Sequence, residues 1–239
     1  MLSPLKECPL FWEGRGSVEL GEVRSDFVGL RNLGSTCYIN AVLQQLFVLQ
    51  DFRSAIHDQA VLGENKIVAI LDDLFSSMHF GARSEVNPIK LCRALSVDVK
   101  EQEDAHDFLV RLAGQLPVCR HHFEGTLEVE LSSADFLRAQ KEAFCAISLE
   151  VSDSCSSLAR SLEKFLDGEV IEDFEGVQGR CRVRRRPTFG ELPLSVFFHL
   201  SRFEMDYSNF RQKKKHGIFS FPQELILKDF QYQLKGIVM

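Results

Sequence analysis

The hydrophobic residues change their period part-way along the chain, and that change narrows the fold classes open to it. Ile39, Val42, Leu43, Leu46, Phe47 and Leu49 recur at helical spacing over Cys37 to Gln50, one face of an amphipathic helix. Ile67, Ile70, Leu71, Leu74 and Phe75 line a second helix over Lys66 to Met78. Asn87-Pro88 supplies a cap and a first-turn proline for a third over Ile89 to Leu95. A fourth runs from Asp104 to Leu116 with Ala105, Phe108, Leu109 and Leu112 inward, and Gly81 and Pro117 mark breaks. Beyond Pro117 the period falls to two. Thr126 to Leu131 and Ala146 to Val151 alternate as half-buried strands do. A short helix over Ser157 to Leu166 follows. Leu194 to Phe203 is apolar on both faces in part, which predicts a central strand. Ile218 to Phe221 and Tyr232 to Val238 read as further strands. Helices first and strands later mean α+β rather than an alternating parallel fold.

The 239 residues suffice for one domain with a sizeable core, or two small ones. Twenty Phe and 45% apolar residues exclude disorder for most of the chain. The formal charge of -6 argues against nucleic acid as the main partner, because phosphate binding wants a basic face. No apolar run approaches the roughly 20 residues of a membrane span, so no membrane partner is expected. The start, Met1-Leu2-Ser3-Pro4-Leu5-Lys6-Glu7, shows no secretory pattern. Residues 1–26, with Pro4, Pro9, Gly14, Gly16 and Gly21, read as an irregular lead-in anchored by Phe11 and Trp12.

Seven Cys at wide spacing, with no CxxC pair, make neither a disulfide framework nor a zinc-finger pattern. A reducing compartment, cytoplasm or nucleus, is the expected location. Two basic clusters, Arg180 to Arg186 and Lys213-Lys214-Lys215, are read as solvated loops. A docking patch for an acidic partner is the alternative.

One thiol stands apart. Gly34-Ser35-Thr36 supplies a turn and an N-cap just before Cys37 and its apolar helix. A helix N-terminus favours thiolate over thiol. Asn32, on the same turn, is placed to offer a side-chain N–H to a developing oxyanion. The plainer reading of such a Cys is a small buried core residue.

The wording around it decides between them. Gly29-Leu30-Arg31-Asn32-Leu33-Gly34-Ser35-Thr36-Cys37-Tyr38-Ile39-Asn40-Ala41-Val42-Leu43-Gln44 resembles the cysteine box of the ubiquitin-specific proteases, GLxNLGNTCYxNSxLQ. Glu101-Gln102-Glu103-Asp104-Ala105-His106-Asp107-Phe108-Leu109 resembles the family's QQDAQEFL helix. Leu192 to Phe203, with Asp206, resembles LPxxLxxxLKRFxxD, and Phe219 to Leu225 resembles FxFPxxL. The motifs come in family order from Phe27 onward.

The resemblance implies a papain-like cysteine protease fold of helical thumb, palm and fingers. Residues 27–117 would form the thumb, and 118–239 the fingers and a partial palm. It implies a thiol-dependent deubiquitinase acting on ubiquitin and ubiquitinated proteins. Cys37 would be the nucleophile, Asn32 would line the oxyanion hole, and Asp104 would hydrogen-bond the extended ubiquitin tail. No cofactor is implied. The alternative within the family is an inactive relative that binds ubiquitin or scaffolds a complex.

Three departures qualify the match. The family's catalytic His lies in a GHY motif beyond the strand that Tyr232 to Val238 resembles, and this sequence reaches only Met239. The last palm strands are therefore expected to be missing, and His106 and His199 are read as structural or surface residues. The fingers usually hold zinc through two CxxC pairs. Here Glu130-Leu131-Ser132-Ser133 and Cys181-Arg182-Val183-Arg184 stand instead, so no zinc is expected. Ser35, Ala41 and Asp107 replace Asn, Ser and Glu, which are mild changes.

Overall fold

The computed structural model describes residues 28–133, 136–176, 179–206 and 211–238. The expected lead-in, 1–26, lies outside them. The first half is helical: α1 Cys37–Val48, α2 Gln50–Leu62, α3 Lys66–Phe80, α4 Ile89–Ala94, α5 Ala105–Gln115 and α6 Pro117–Phe123. Local chemistry sets several of the ends. Asn65 caps α3 by accepting from the N–H of Ile67 and Val68 at 2.8 and 3.3 Å. Gly63, at φ 74°, closes α2 in a conformation that favours glycine.

Two helices were not expected. Only Phe52 and Ile56 of α2 are buried, too sparse a stripe to show a period. Pro117, read as a break, opens α6 instead, because a first-turn proline sacrifices no helical hydrogen bond.

The six helices share one core. Ile39, Leu43, Leu46, Phe52, Ile56, Leu71, Phe108 and Phe123 are all fully enclosed in it. Phe52 is its hub, with ring centroids at 5.0 Å from Phe123, 5.7 Å from His122 and 6.5 Å from Phe75. Phe52→Ala removes all three contacts and leaves a cavity. We expect it to cost about 3–5 kcal/mol, read as a lower urea midpoint with an unchanged slope. A loss below about 1 kcal/mol would mean that the helices repack around the gap.

The second half holds β3 Gly125–Ser132, β4 Leu137–Phe144, β5 Ala146–Glu150, α7 Leu158–Asp167, β6 Glu169–Gly176 and β7 Gly179–Phe189. Strands β3, β4, β6 and β7 form one antiparallel sheet in the order β4-β3-β7-β6. Its apolar face, including Leu127, Val129, Leu131 and Val183, forms a second core with Leu158 and Leu162 of α7. Ser157 caps α7 through the N–H of Arg160.

The basic clusters require a correction. Arg180 to Arg186 lie within β7, not in a loop. Arg180, Arg182, Arg184 and Arg186 point outward, while Cys181, Val183, Pro187 and Phe189 lie on the other face with Arg185, which is half-buried and pairs with Glu142 at 2.5 Å. Lys213 and Lys214 lie on β10, Arg211–Lys214, which pairs with β9, Phe203–Asp206; Lys215 follows its end.

Strand β8 is shorter than expected, Phe197–Ser201, and pairs in parallel with β5 from Ala146↔Phe197 to Glu150↔Ser201. Its residues are half-buried, and β5 is its one strand partner among the described residues. Leu194 stays exposed outside it, and Arg202 separates it from β9. The strand expected at Ile218 to Phe221 reduces to a single bridge, Ser157↔Ser220. The strand expected at Tyr232 to Val238 sits earlier, at Phe230–Gln233 (β12), in a hairpin with β11 Glu224–Leu227. Among the described residues no helix is long and apolar enough to cross a membrane.

Candidate functional site

The turn before α1 is built by side chains. Gly29-Leu30 (β1) pairs in parallel with Glu85-Val86 (β2). From α1, the amide of Asn40 donates to the carbonyls of Leu30 and Arg31, and that of Gln44 to Val28. The segment entering the turn is thus tied to the helix that leaves it. Within the turn, Asn32 Oδ1 accepts from Gly34 N at 3.1 Å, Thr36 N at 3.3 Å and Thr36 Oγ1 at 3.1 Å. Thr36 is fully buried and its Oγ1 accepts from Leu33 N. Gly34 sits at φ 139°, and a Cβ there would lie 2.7 Å from Val99 O; only glycine fits.

This network fixes the Asn32 amide. Two backbone N–H donors demand its oxygen on the inside of the turn, so its NH2 is turned outward. Asn32 is exposed, and its Nδ2 has no hydrogen-bond partner among the described residues. Thr36 is expected to cap α1 and holds the N-cap position, but its hydroxyl turns back to Asn32. No side chain therefore caps the free N–H groups of the first turn.

Cys37 is the first residue of α1 and is exposed. Cys92, Cys119 and Cys155 are buried, and Cys145 and Cys181 half-buried. Burial, reinforced by Cys145, pushes the Cys119 thiol up to about 12. Burial also raises Cys92 and Cys145. No imidazole hydrogen-bonds Cys37 among the described residues.

Asp104 caps α5, its carboxylate accepting from His106 N at 2.7 Å, and it is exposed. Helices α1 and α5 meet through Tyr38 and Phe108, edge-on at 5.6 Å. The residue after Cys37 thus packs on the first full turn after Asp104. One feature has no signal in the sequence: the His106 ring from α5 lies flat on His199 from β8, centroids 4.2 Å apart and planes 8° apart. A cleft of about 390 Å³ between α3, residues 81–88 and α4 contains neither Cys37 nor Asp104.

The family model described as ubiquitin carboxyl-terminal hydrolase matches residues 28–238. The chain belongs to that family. Human ubiquitin carboxyl-terminal hydrolase 24 is 28% identical over 231 residues, covering 86% of this chain and 9% of that protein. Ubiquitin carboxyl-terminal hydrolase 47 of Drosophila melanogaster is 25% identical, over 85% of this chain and 15% of that one. Ubiquitin carboxyl-terminal hydrolase 26 of Arabidopsis thaliana is 29% identical, over 82% and 21%. The chain thus spans under a quarter of the length of these relatives. A solved structure of the SAGA Ubp8/Sgf11/Sus1/Sgf73 DUB module bound to ubiquitin aldehyde superposes with a TM-score of 0.70 at 21% identity. It covers 85% of this chain and 53% of that chain.

The metal site common in this family's fingers does not fit these residues. Cys181 on β7 pairs in register with Phe174 and belongs to the apolar cluster, where Phe174 meets Phe136 at 6.2 Å. Ser132 and Ser133 offer no soft ligand at the other position. No group of three His, Cys, Asp or Glu among the described residues could hold a metal ion.

Proposed function

We propose that this chain is a thiol-dependent deubiquitinase domain that takes ubiquitin and ubiquitinated proteins in the cytoplasm or nucleus. Residues 27–117 serve as thumb and 118–239 as fingers and partial palm. The observation that carries the reading is the pairing of an exposed Cys37 at an uncapped helix start with an Asn32 amide whose NH2 faces outward. The structural neighbour bound to ubiquitin aldehyde adds support.

In this mechanism the Cys37 thiolate attacks the carbonyl carbon at the ubiquitin C-terminus. The carbonyl oxygen takes the charge, and Asn32 Nδ2–H and the first-turn N–H groups of α1 stabilise it. Collapse expels the amine, which takes a proton from solvent water as it leaves, and the thioester left on Cys37 is hydrolysed by water to free the ubiquitin carboxylate and the thiol. Asp104 accepts a backbone N–H of the extended tail.

Two substitutions at Asp104 test the reading through ubiquitin binding. Asn caps helices as well as Asp does, so Asp104→Asn keeps α5 intact and removes only the charge. It should weaken ubiquitin binding by about tenfold, the difference between a charged and a neutral acceptor. Asp104→Ala loses the acceptor and the cap together, with about 1 kcal/mol of helix stability. Calorimetric titration with ubiquitin and a thermal melt of each variant read both effects. Unchanged affinity in both variants would remove Asp104 from the tail site, and no ubiquitin binding by the wild-type chain would remove the reading itself.

A further inference from the structure

We propose that the His106–His199 stack is an acid-released clasp that positions the Asp104 helix against the palm, so that ubiquitin-tail binding at Asp104 falls away below about pH 6. The inference rests on the ubiquitin reading above. Its basis is geometric. The two rings come from different halves of the fold, one from the first turn of α5 and one from β8, and lie parallel at 4.2 Å. Ser148 on β5 fixes the palm side, its Oγ 3.3 Å from His199 Nδ1. His106 follows Asp104 by two residues, and its N–H already holds that carboxylate. Moving His106 therefore moves Asp104.

The charges around the stack are few. From α5, Asp104 and Asp107 face His199 as well as His106. From β5 only Ser148 reaches it. On β8 its neighbours Phe197, Phe198, Leu200 and Ser201 carry no charge, and Arg202 is turned away to the carbonyls of Lys215 and Gly217. One imidazolium above a neutral ring is tolerable, since the two carboxylates offset it. A second proton sets two cations face to face in a half-buried junction, where repulsion is poorly screened. A charged His106 would also compete for the Asp104 carboxylate that the tail needs.

The sign agrees. Burial and then His106 hold His199 below the usual imidazole range, with Asp104 and Asp107 pulling the other way. A group depressed in the closed state favours closure above its free value. That contribution is lost as pH falls from about 6.5 toward the closed-state value.

Two measurements on the whole chain test the clasp. The first needs no ligand: NMR titration of the imidazole Cε1 protons from pH 8 to 5. His106→Phe, which keeps a ring over His199 but cannot ionise, should raise the His199 midpoint. The second is the ubiquitin Kd at pH 7.5 and 5.5. We expect binding about tenfold weaker at the lower pH in the wild type and about twofold weaker in His106→Phe. A His199 midpoint that does not move in His106→Phe, or in His106→Gln should the first variant fail to fold, overturns the clasp. An equal pH ratio in both proteins overturns it too. A raised His199 midpoint in the variant with no ubiquitin binding at pH 7.5 would instead overturn the ubiquitin reading, and the tail half of this proposal with it.

Discussion

Ubiquitin carrying an electrophile at its C-terminus will become covalently attached to this chain, and Cys37→Ala will abolish the adduct. The expectation separates capture from turnover. Capture needs a thiolate within reach of the end of the bound tail and nothing more, because no amine has to leave. With no base beside it among the described residues, Cys37 is captured slowly, and the adduct accumulates over hours. The helix N-terminus adds to the thiolate's stability, and the outward Asn32 amide polarises the warhead. The other described thiols compete poorly. Cys92, Cys119 and Cys155 are buried, and with Cys119 near 12 its thiolate is negligible at neutral pH. Limiting iodoacetamide, which needs no recognition, should likewise reach Cys37 before Cys92 or Cys155. Intact mass spectrometry followed by peptide mapping reads both reactions. An adduct that survives Cys37→Ala, or that maps to Cys145 or to Cys8 (outside the described residues), would end the assignment of Cys37 as nucleophile.

What was legible in the sequence follows from range. The site turn is short: Asn32, Gly34 and Thr36 hydrogen-bond among themselves just before Cys37, so their order carries much of the geometry. Helices α1, α3 and α5 bury a face at regular spacing and were readable for that reason. Helix α2 buries too little to show one. Strand β4 is mostly exposed along its length, with Arg138, Lys141 and Glu142 on it, and lacks an apolar alternation. The arginines of β7 look like a loop because charge masks the period. The alternation lies in Cys181, Val183, Pro187 and Phe189, and Arg185 interrupts it on the inward face. The His106–His199 stack is invisible from sequence for the opposite reason to the turn. Each His sits inside a local motif, and only the packing of α5 on β8 brings them together.

Hydrolysis should be far weaker than capture. With a ubiquitin C-terminal fluorogenic amide, we expect turnover roughly 10³- to 10⁵-fold below that of a cysteine hydrolase with a paired imidazole. Two losses multiply. An unpaired thiol forgoes up to about 30-fold in nucleophile population, or about 2 kcal/mol. The leaving amine also lacks a positioned proton donor, worth about 10² to 10⁴. Both follow from one observation, that no imidazole hydrogen-bonds Cys37 among the described residues. Misfolding would produce the same low rate, since β8 has an open edge among the described residues and such edges pair with other chains. A thermal melt separates the causes: a cooperative transition with slow turnover points to the missing base, and its absence to the sheet. Chemical rescue is the sharper control. Free imidazole at about 0.1 M supplies the lost acid and base from solution, and turnover by a folded chain should rise with its concentration. Cys37→Ala should show no rise. Fast turnover without imidazole, still dependent on Cys37, would defeat the expectation. His199 and His106 would then be the first candidates for the base, with loss of rate in His199→Gln or His106→Gln as the measure.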